Sequence, residues 1–277
     1  TNTTGTTNVA VGFMTLYSNT TASNNTGCGY QALLLNTTGT GNTAVGKGAL
    51  PANTTGDNNV AVGKDAMQDN TTGYQNVAIG QNALADNTTA NNNVAVGYKA
   101  MRLTTTGDSN VAVGFQALDA NTTGSANVAV GPSALGANTE GFSNTALGAD
   151  ALKANTTGDY NVAIGQFASE QNTTANRNTS VGTFALENTT TGGFNTALGG
   201  WALQSNTGSD NTAVGYQALE QNTTASNNNA FGYQALENTT TGANNVAVGT
   251  QALEDNTTSN NQTAVGYRAL ANATSGS

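Results

Sequence analysis

A glycine recurs along this chain at a nearly constant interval. It closes an Asn-Val-Ala-Val-Gly-like run at Gly12, Gly29, Gly46 and onward to Gly266, sixteen positions in all, and every step is 17 residues except that from Gly199 to Gly215, which is 16. The short step arises where a turn reads Asn206-Thr207-Gly208 and a neighbouring one reads Asn155-Thr156-Thr157-Gly158. A fixed period of this size is the signature of a repeat architecture, in which each unit buries its apolar face on the next. Residues 1–277 therefore read as a single repeat domain, one motif, N-(V/T)-A-V-G-x-x-A-L-x-x-N-T-T-G-x-x, written over and over.

A unit of 17 residues with so few apolar groups cannot fold alone, because ordering costs roughly 1–2 kcal/mol per residue, but stacked copies can. The Val-Ala-Val stretch has the alternation and β-branching of a strand. The unit is too short for the helix pairs of all-α repeats, which take about 33–47 residues. Asn-Thr-Thr-Gly supplies turn chemistry, with Asn and Gly as the residues that tolerate positive φ. The predicted fold is all-β, a parallel β-solenoid of about sixteen 17-residue coils, with like side chains stacked about 4.8 Å apart.

Comparing the copies with one another shows what each position accepts. Immediately before the glycine only apolar residues occur, among them Val11, Cys28, Val45, Ile79, Leu147 and Phe231, so this position is expected to be core, with Cys28 a small core residue. Two before the glycine stands a small residue in every copy, such as Ala10, Gly27, Ala61 or Ser180, implying close packing. Three and four after it come alanine and Leu or Met, with Thr15 and Ser169 the exceptions, and these too are predicted to be buried. Eight after it threonine is invariant, from Thr20 to Thr274. The two positions directly following the glycine hold Phe13, Lys47, Pro132, Asp65 and Trp201 alike, which places them toward solvent or another chain. The asparagine four before the glycine, as in Asn8, Asn76 and Asn161, becomes Gln262 only in the last copy and predicts an amide ladder.

Composition narrows the function. The chain has no histidine and only 8% charged residues, which removes the commonest general base and metal ligand. No nucleophile, base and orienting group can be assembled, so no enzyme activity, cofactor or metal is expected. A net charge of -9 repels phosphate backbones and argues against nucleic acid as a partner. One cysteine closes no intrachain disulfide. No apolar run approaches the roughly 20 residues of a membrane helix and no signal peptide opens the chain, so membrane insertion is not expected.

Four surface features invite a functional reading. The Asn-Thr-Thr triplets at Asn19, Asn36, Asn53, Asn70, Asn87, Asn121, Asn155, Asn172, Asn222 and Asn256 fit the N-glycosylation acceptor pattern, although the same triplet is good turn chemistry and that reading is preferred. The threonine rows suggest an ice-binding face, but they adjoin a turn instead of forming a flat Thr-x-Thr rank. Glu170, Glu187, Glu220, Glu237 and Glu254 share one repeat position and are expected to form a solvated edge in preference to a calcium site, which wants about 6–8 oxygens. Tyr30, Tyr98, Phe167, Phe184, Trp201, Tyr216, Tyr233 and Tyr267 fall after the glycines and are candidate contact aromatics, for a sister chain first and for surface glycans second.

The run Asn211-Thr212-Ala213-Val214-Gly215-Tyr216-Gln217-Ala218-Leu219 and its relatives resemble the head repeats of YadA-like trimeric autotransporter adhesins, and the repeat arrays of some phage tail-fibre proteins. That resemblance covers the strand half of each repeat. It implies a left-handed parallel β-roll, commonly trimeric, displayed outside a cell or virion and used for attachment. The expected function is thus the structural shaft of an extracellular fibre, on a cell surface or a virion, with an ice-binding solenoid or a carbohydrate-binding repeat protein as the alternatives. The expected partners are copies of itself, as a lateral trimer or an end-to-end filament. Because the pattern runs to both Thr1 and Ser277, the reading is of either a segment of a longer chain or a protomer that stacks through open coil ends.

Overall fold

A computed structural model describes residues 2–273 of the chain; Thr1, Thr274 and Ser277, named above for the ends of the pattern and of the threonine column, lie outside the described residues. Two compact units meet the eye, Thr1–Glu140 and Gly141–Ser277, and every regular element among the described residues is a three-residue strand. The first unit carries β1 (Val9–Val11), β2 (Thr26–Cys28), β3 (Thr43–Val45), β4 (Val60–Val62), β5 (Val77–Ile79), β6 (Val94–Val96), β7 (Val111–Val113) and β8 (Val128–Val130). The second carries β9 (Thr145–Leu147), β10 (Val162–Ile164), β11 (Thr179–Val181), β12 (Thr196–Leu198), β13 (Thr212–Val214), β14 (Asn229–Phe231), β15 (Val246–Val248) and β16 (Thr263–Val265). Within each unit consecutive strands pair in parallel and in repeat register, as in Val60↔Val77, Ala61↔Ala78 and Val62↔Ile79. Each unit is a β-solenoid whose coil is one turn of the repeat.

The rest of the coil is turn, yet it stacks through the same kind of bond. Leu50 N–H donates to the Ala66 carbonyl at 2.9 Å, and Asp65 N–H donates to the Lys47 carbonyl at 2.9 Å. Backbone groups away from the strands are thereby satisfied by the neighbouring coil, as burial requires. The 16-residue coil does not disturb the register: Thr196, Ala197 and Leu198 still face Thr212, Ala213 and Val214. The missing threonine is absorbed locally, where Asn206 Nδ2 reaches the Gly208 carbonyl two residues on, at 2.9 Å.

Which side of the strand faces inward reverses one expectation. The small residue at the strand centre is the core residue: Ala44, Ala61, Ala78 and Ala163 are fully buried. The position before the glycine faces outward, with Val11 58%, Val45 38%, Ile79 41% and Phe231 42% exposed, and Cys28 is exposed as well. Successive strand residues point to opposite faces, so alanine and valine cannot both point in. The inward side is closed off by the alanine and leucine that follow the glycine, Ala49 and Leu50 or Ala66 and Met67, all fully buried, and only a small side chain such as alanine or Ser180 stands opposite them. In the second unit this packing runs continuously from Ala185 and Leu186 through Ala202, Leu203, Ala218 and Leu219 to Ala252, Leu253 and Ala264.

The positive φ angles also fall elsewhere than in Asn-Thr-Thr-Gly. Three left-handed positions recur per coil, five before the glycine, two after it and four after it, as in Asn58, Asp65 and Met67 at 57°, 55° and 51°. The buried leucines themselves are left-handed, Leu33 and Leu84 both at 51°. For a non-glycine residue that costs about 1–2 kcal/mol, which burial of a leucine side chain, about 1.5–3 kcal/mol, offsets. The strand-ending glycine is different. Gly63 sits at 136°, and a Cβ there would come within 2.5 Å of the Gly80 carbonyl oxygen in the next coil. No side chain fits, which accounts for a glycine in every copy.

Candidate interaction surfaces

Two asparagine ladders occupy the inside of the coil edges. In the first, four before the glycine, the Asn42 backbone N–H donates to Asn25 Oδ1 at 2.9 Å, and Asn42 Nδ2 donates across to the Gly56 carbonyl at 2.8 Å. In the second, at the head of the Asn-Thr-Thr turn, Asn53 Nδ2 donates both to Asn36 Oδ1 at 2.8 Å and to the Gly56 carbonyl at 2.9 Å. All ten triplet asparagines belong to this second ladder and are buried, from Asn19, Asn36, Asn53, Asn70 and Asn87 to Asn121, Asn155, Asn172, Asn222 and Asn256. A glycan on any of these Nδ2 atoms would have to replace its hydrogen bonds and open the coil edge. The triplet serves the turn.

The threonines following them are spoken for as well. Thr54 Oγ1 donates to the Thr71 carbonyl at 3.1 Å and Thr71 Oγ1 to the Thr88 carbonyl at 3.0 Å, the same bond repeating coil by coil. Their hydroxyls donate along the stack, each to a carbonyl of the next coil.

The glutamate column runs in a line. Glu220, Glu237 and Glu254 follow one another at consecutive coils, half-buried beside a glutamine column in which Gln234 Nε2 donates to Gln217 Oε1 at 3.2 Å and Gln251 Nε2 to Gln234 Oε1 at 3.3 Å. Burial pushes the Glu237 carboxyl above its ordinary value, and repulsion from Glu220 and Glu254 adds to this. Burial likewise raises Glu220, against an opposing hydrogen bond from Gln217. Glu170 is raised by burial, with Lys153 at 3.9 Å pulling the other way. In the first unit Arg102 grips Asp119 with Nε on Oδ1 at 2.9 Å and Nη2 on Oδ2 at 3.4 Å. The charged groups are edge groups that pair or repel along the stack.

The candidate contact aromatics divide into two kinds. Tyr30, Tyr98, Tyr216, Tyr233 and Tyr267, directly after the glycine, are exposed, whereas Phe167, Phe184 and Trp201, one position later, are half-buried. Most of them stack on each other. Phe167–Phe184, Phe184–Trp201, Trp201–Tyr216 and Tyr216–Tyr233 lie with ring centroids 5.1, 5.3, 5.3 and 5.8 Å apart, a run of five rings across five coils. The run shifts column at the 16-residue step, where Gly200 leaves room beside the Tyr216 ring. In the first unit Tyr30 stacks on Phe13 at 5.5 Å and Tyr98 on Phe115 at 5.6 Å. Rings stacked face to face, as Phe167 on Phe184 and Tyr216 on Tyr233, have spent those faces on one another, whereas Trp201 meets Tyr216 edge to face with 65° between the planes.

A second aromatic column escaped sequence reading. Tyr160, Arg177 and Phe194 lie five residues before the glycine, where other copies hold Asn24, Gln75 or Ser109, and Phe142 lies six before it, where another copy holds Tyr74. Phe142 and Tyr160 meet edge to face at 5.0 Å, and the Arg177 guanidinium lies 5.7 Å from the Tyr160 ring centre and 5.4 Å from that of Phe194. The only sequence signal was the appearance of apolar or basic residues at a position otherwise polar and small.

The outer strand face is a consistent surface in each unit. Before the glycine it shows Val45, Val62, Ile79, Val96, Val113 and Val130 in the first unit, and Leu147, Ile164, Val181, Leu198, Val214, Phe231, Val248 and Val265 in the second, none of them buried. The parallel column two residues earlier holds Val, Thr or Asn229. Neither column contains one charged residue. No protein-family model matches the chain, and no curated protein matches it either.

Proposed function

We propose that the protein is a non-enzymatic structural element of an extracellular fibre, a solenoid shaft that works by associating with copies of itself along its outer strand face. One observation carries the reading: the position before the strand-ending glycine is apolar in all sixteen copies although the single chain leaves it unburied. Solvent exposure alone imposes no such restriction, since scattered exposed apolar residues are ordinary but a continuous apolar column marks an interaction surface. A second copy is the occupant that fits. The chain carries a net charge of -9, yet the two outward strand columns are uncharged, so like faces can meet without desolvating a charge. The aromatic edges beside them suit the rim of such a contact. The resemblance to trimeric adhesin heads favours three chains, and attachment at a cell or virion surface is the role in which a long self-associated shaft is useful.

Sedimentation of the unsubstituted chain tests this, with a trimer expected and a monomer at about 100 μM protein overturning it. Ile79→Asp together with Ile164→Asp is expected to give monomers that keep the strand signal in circular dichroism. Mild oxidation supplies a second readout, because Cys28 lies in the proposed interface and copies packed there should cross-link through it.

A further inference from the structure

We infer that the Tyr160–Arg177–Phe194 cluster of the second unit is a binding site for a sugar that carries a single carboxylate. This does not rest on self-association, since the cluster is not part of the outer strand face and its ligand is a small molecule.

The cluster is formed by one repeat position in three successive coils. Tyr160, Arg177 and Phe194 are left-handed at 58°, 58° and 60°, the conformation this position takes throughout, and the stacking of coils lays their side chains over one another. Arg177 is the middle layer, with a ring within about 6 Å of its guanidinium on each side, the range of a cation–π contact. The guanidinium thus lies between two rings, which restrict where it can swing. Its edges are left over: among the described residues Arg177 makes no ion pair and its side chain no hydrogen bond, unlike Arg102, whose edge is taken by Asp119 at 2.9 Å. A planar guanidinium edge presents a pair of parallel N–H donors whose best match is a carboxylate.

The surroundings define the rest of the ligand. Asp159, Tyr160, Asn176, Arg177 and Phe194 line a pocket of about 250 Å³, room for one sugar ring. Tyr160 and Phe194 are half exposed, at 50% and 55%, and the next coil has Asp210 in place of a further ring, so Phe194 ends its column with apolar surface available to the C–H side of a pyranose. Asp159 Oδ1 is held by the Phe142 N–H at 2.9 Å, and Asn176 Oδ1 accepts the Asp159 N–H at 2.6 Å. That arrangement leaves the Asn176 amide nitrogen as a neutral donor for a hydroxyl. The Asp159 carboxylate lines the same pocket, and its repulsion grows with the charge of the ligand, so it penalises a phosphate monoester more than a single carboxylate.

The test uses the full chain with methyl β-D-glucuronide and its neutral twin methyl β-D-glucoside, followed by saturation-transfer NMR and titration calorimetry. The glucuronide is expected to bind at millimolar concentration and at least about tenfold more tightly than the glucoside. Arg177→Gln should remove that preference, so that the two sugars bind alike, and Phe194→Ala should weaken both sugars. Arg177→Lys keeps the charge but loses the planar edge, and about a fivefold loss or more is expected. Absence of glucuronide binding at about 10 mM, equal binding of the two sugars, or full binding by Arg177→Gln overturns the assignment. So does an Arg177→Gln protein whose melting temperature falls while its glucuronide affinity stays, because the stacked cation is then only a spacer between coils.

Discussion

Thr239 stands where the amide of the next coil would donate to Asn222 Oδ1, and its hydroxyl donates instead to the Asn256 carbonyl at 3.0 Å. Asn222 Oδ1 is thereby left buried without a hydrogen-bond partner. Elsewhere in the ladder an interruption is tolerated because the orphaned oxygen finds a backbone donor: Asn172 Oδ1, which precedes Thr189, accepts the Ala175 N–H at 3.0 Å. Leaving a buried acceptor unpaired costs about 1–3 kcal/mol. Thr239→Asn is therefore expected to stabilise the second unit by about 1 kcal/mol, seen as slower amide hydrogen exchange in the coils around residues 222–256. Unchanged or faster exchange there would show that the ladder gains nothing from continuity.

The reverse substitution within an intact ladder should hurt. Asn53→Ala removes the donor to both Asn36 Oδ1 and the Gly56 carbonyl, with an expected loss of about 2 kcal/mol. Asn53→Thr should cost less, because Thr104, Thr189 and Thr239 already occupy equivalent buried positions. Since stacked repeats need not unfold as one unit, hydrogen exchange resolved to single coils is the measurement, not a global melting midpoint.

Gly63→Ala and Ala61→Leu probe the two tight points of one coil. At Gly63 any Cβ meets the Gly80 carbonyl and the φ of 136° is closed to side chains, so a loss of about 3 kcal/mol or more is expected. Ala61 is fully buried, and overpacking by leucine should cost about 1–3 kcal/mol. Val62→Thr, on the outer side of the same strand, should leave the stability of the single chain nearly untouched. Chemical denaturation of the three variants checks the order.

Glu237 gives the chain a pH dependence of definite sign. Its carboxyl is raised above the ordinary value of 4.5 by burial and by Glu220 and Glu254, so the folded chain holds this proton more tightly than the unfolded chain does. The stability this contributes is fully present below the unfolded value and is lost as pH rises through the folded one. Glu237→Gln should accordingly raise the melting temperature at pH 7 and have no such effect near pH 3. A pH-independent change would mean that packing, not charge, dominates at this position.

Trp201 reports on the ring stack. Phe184 and Tyr216 lie 5.3 Å from it on either side, so Phe184→Ala should wet the indole and shift its emission to longer wavelength. The accompanying loss, from the missing stacking alone, is about 0.5–1.5 kcal/mol. Emission that does not move would mean that the ring contributes no cover.

The strand at each Asn-Val-Ala-Val-Gly run, the stacking of coils and the asparagine ladders are all consequences of periodicity, and periodicity is written in the chain. A period of 17 returns each residue to its own kind one coil later, so self-complementary side chains such as Asn36 and Asn53 find each other whatever the coil's exact path. The inward face of the strand was a different matter, because Ala61 and Val62 are both apolar and alternation says only that they part, not which one enters the core. The volume left beside Ala66 and Met67 decided it. The period of 17 also places Arg177 between Tyr160 and Phe194, but only the tertiary structure shows that the three side chains meet, with the guanidinium 5.7 and 5.4 Å from the two ring centres. Their contact depends on the left-handed backbone at that position, where asparagine elsewhere in the chain conceals the same conformation under ordinary turn chemistry.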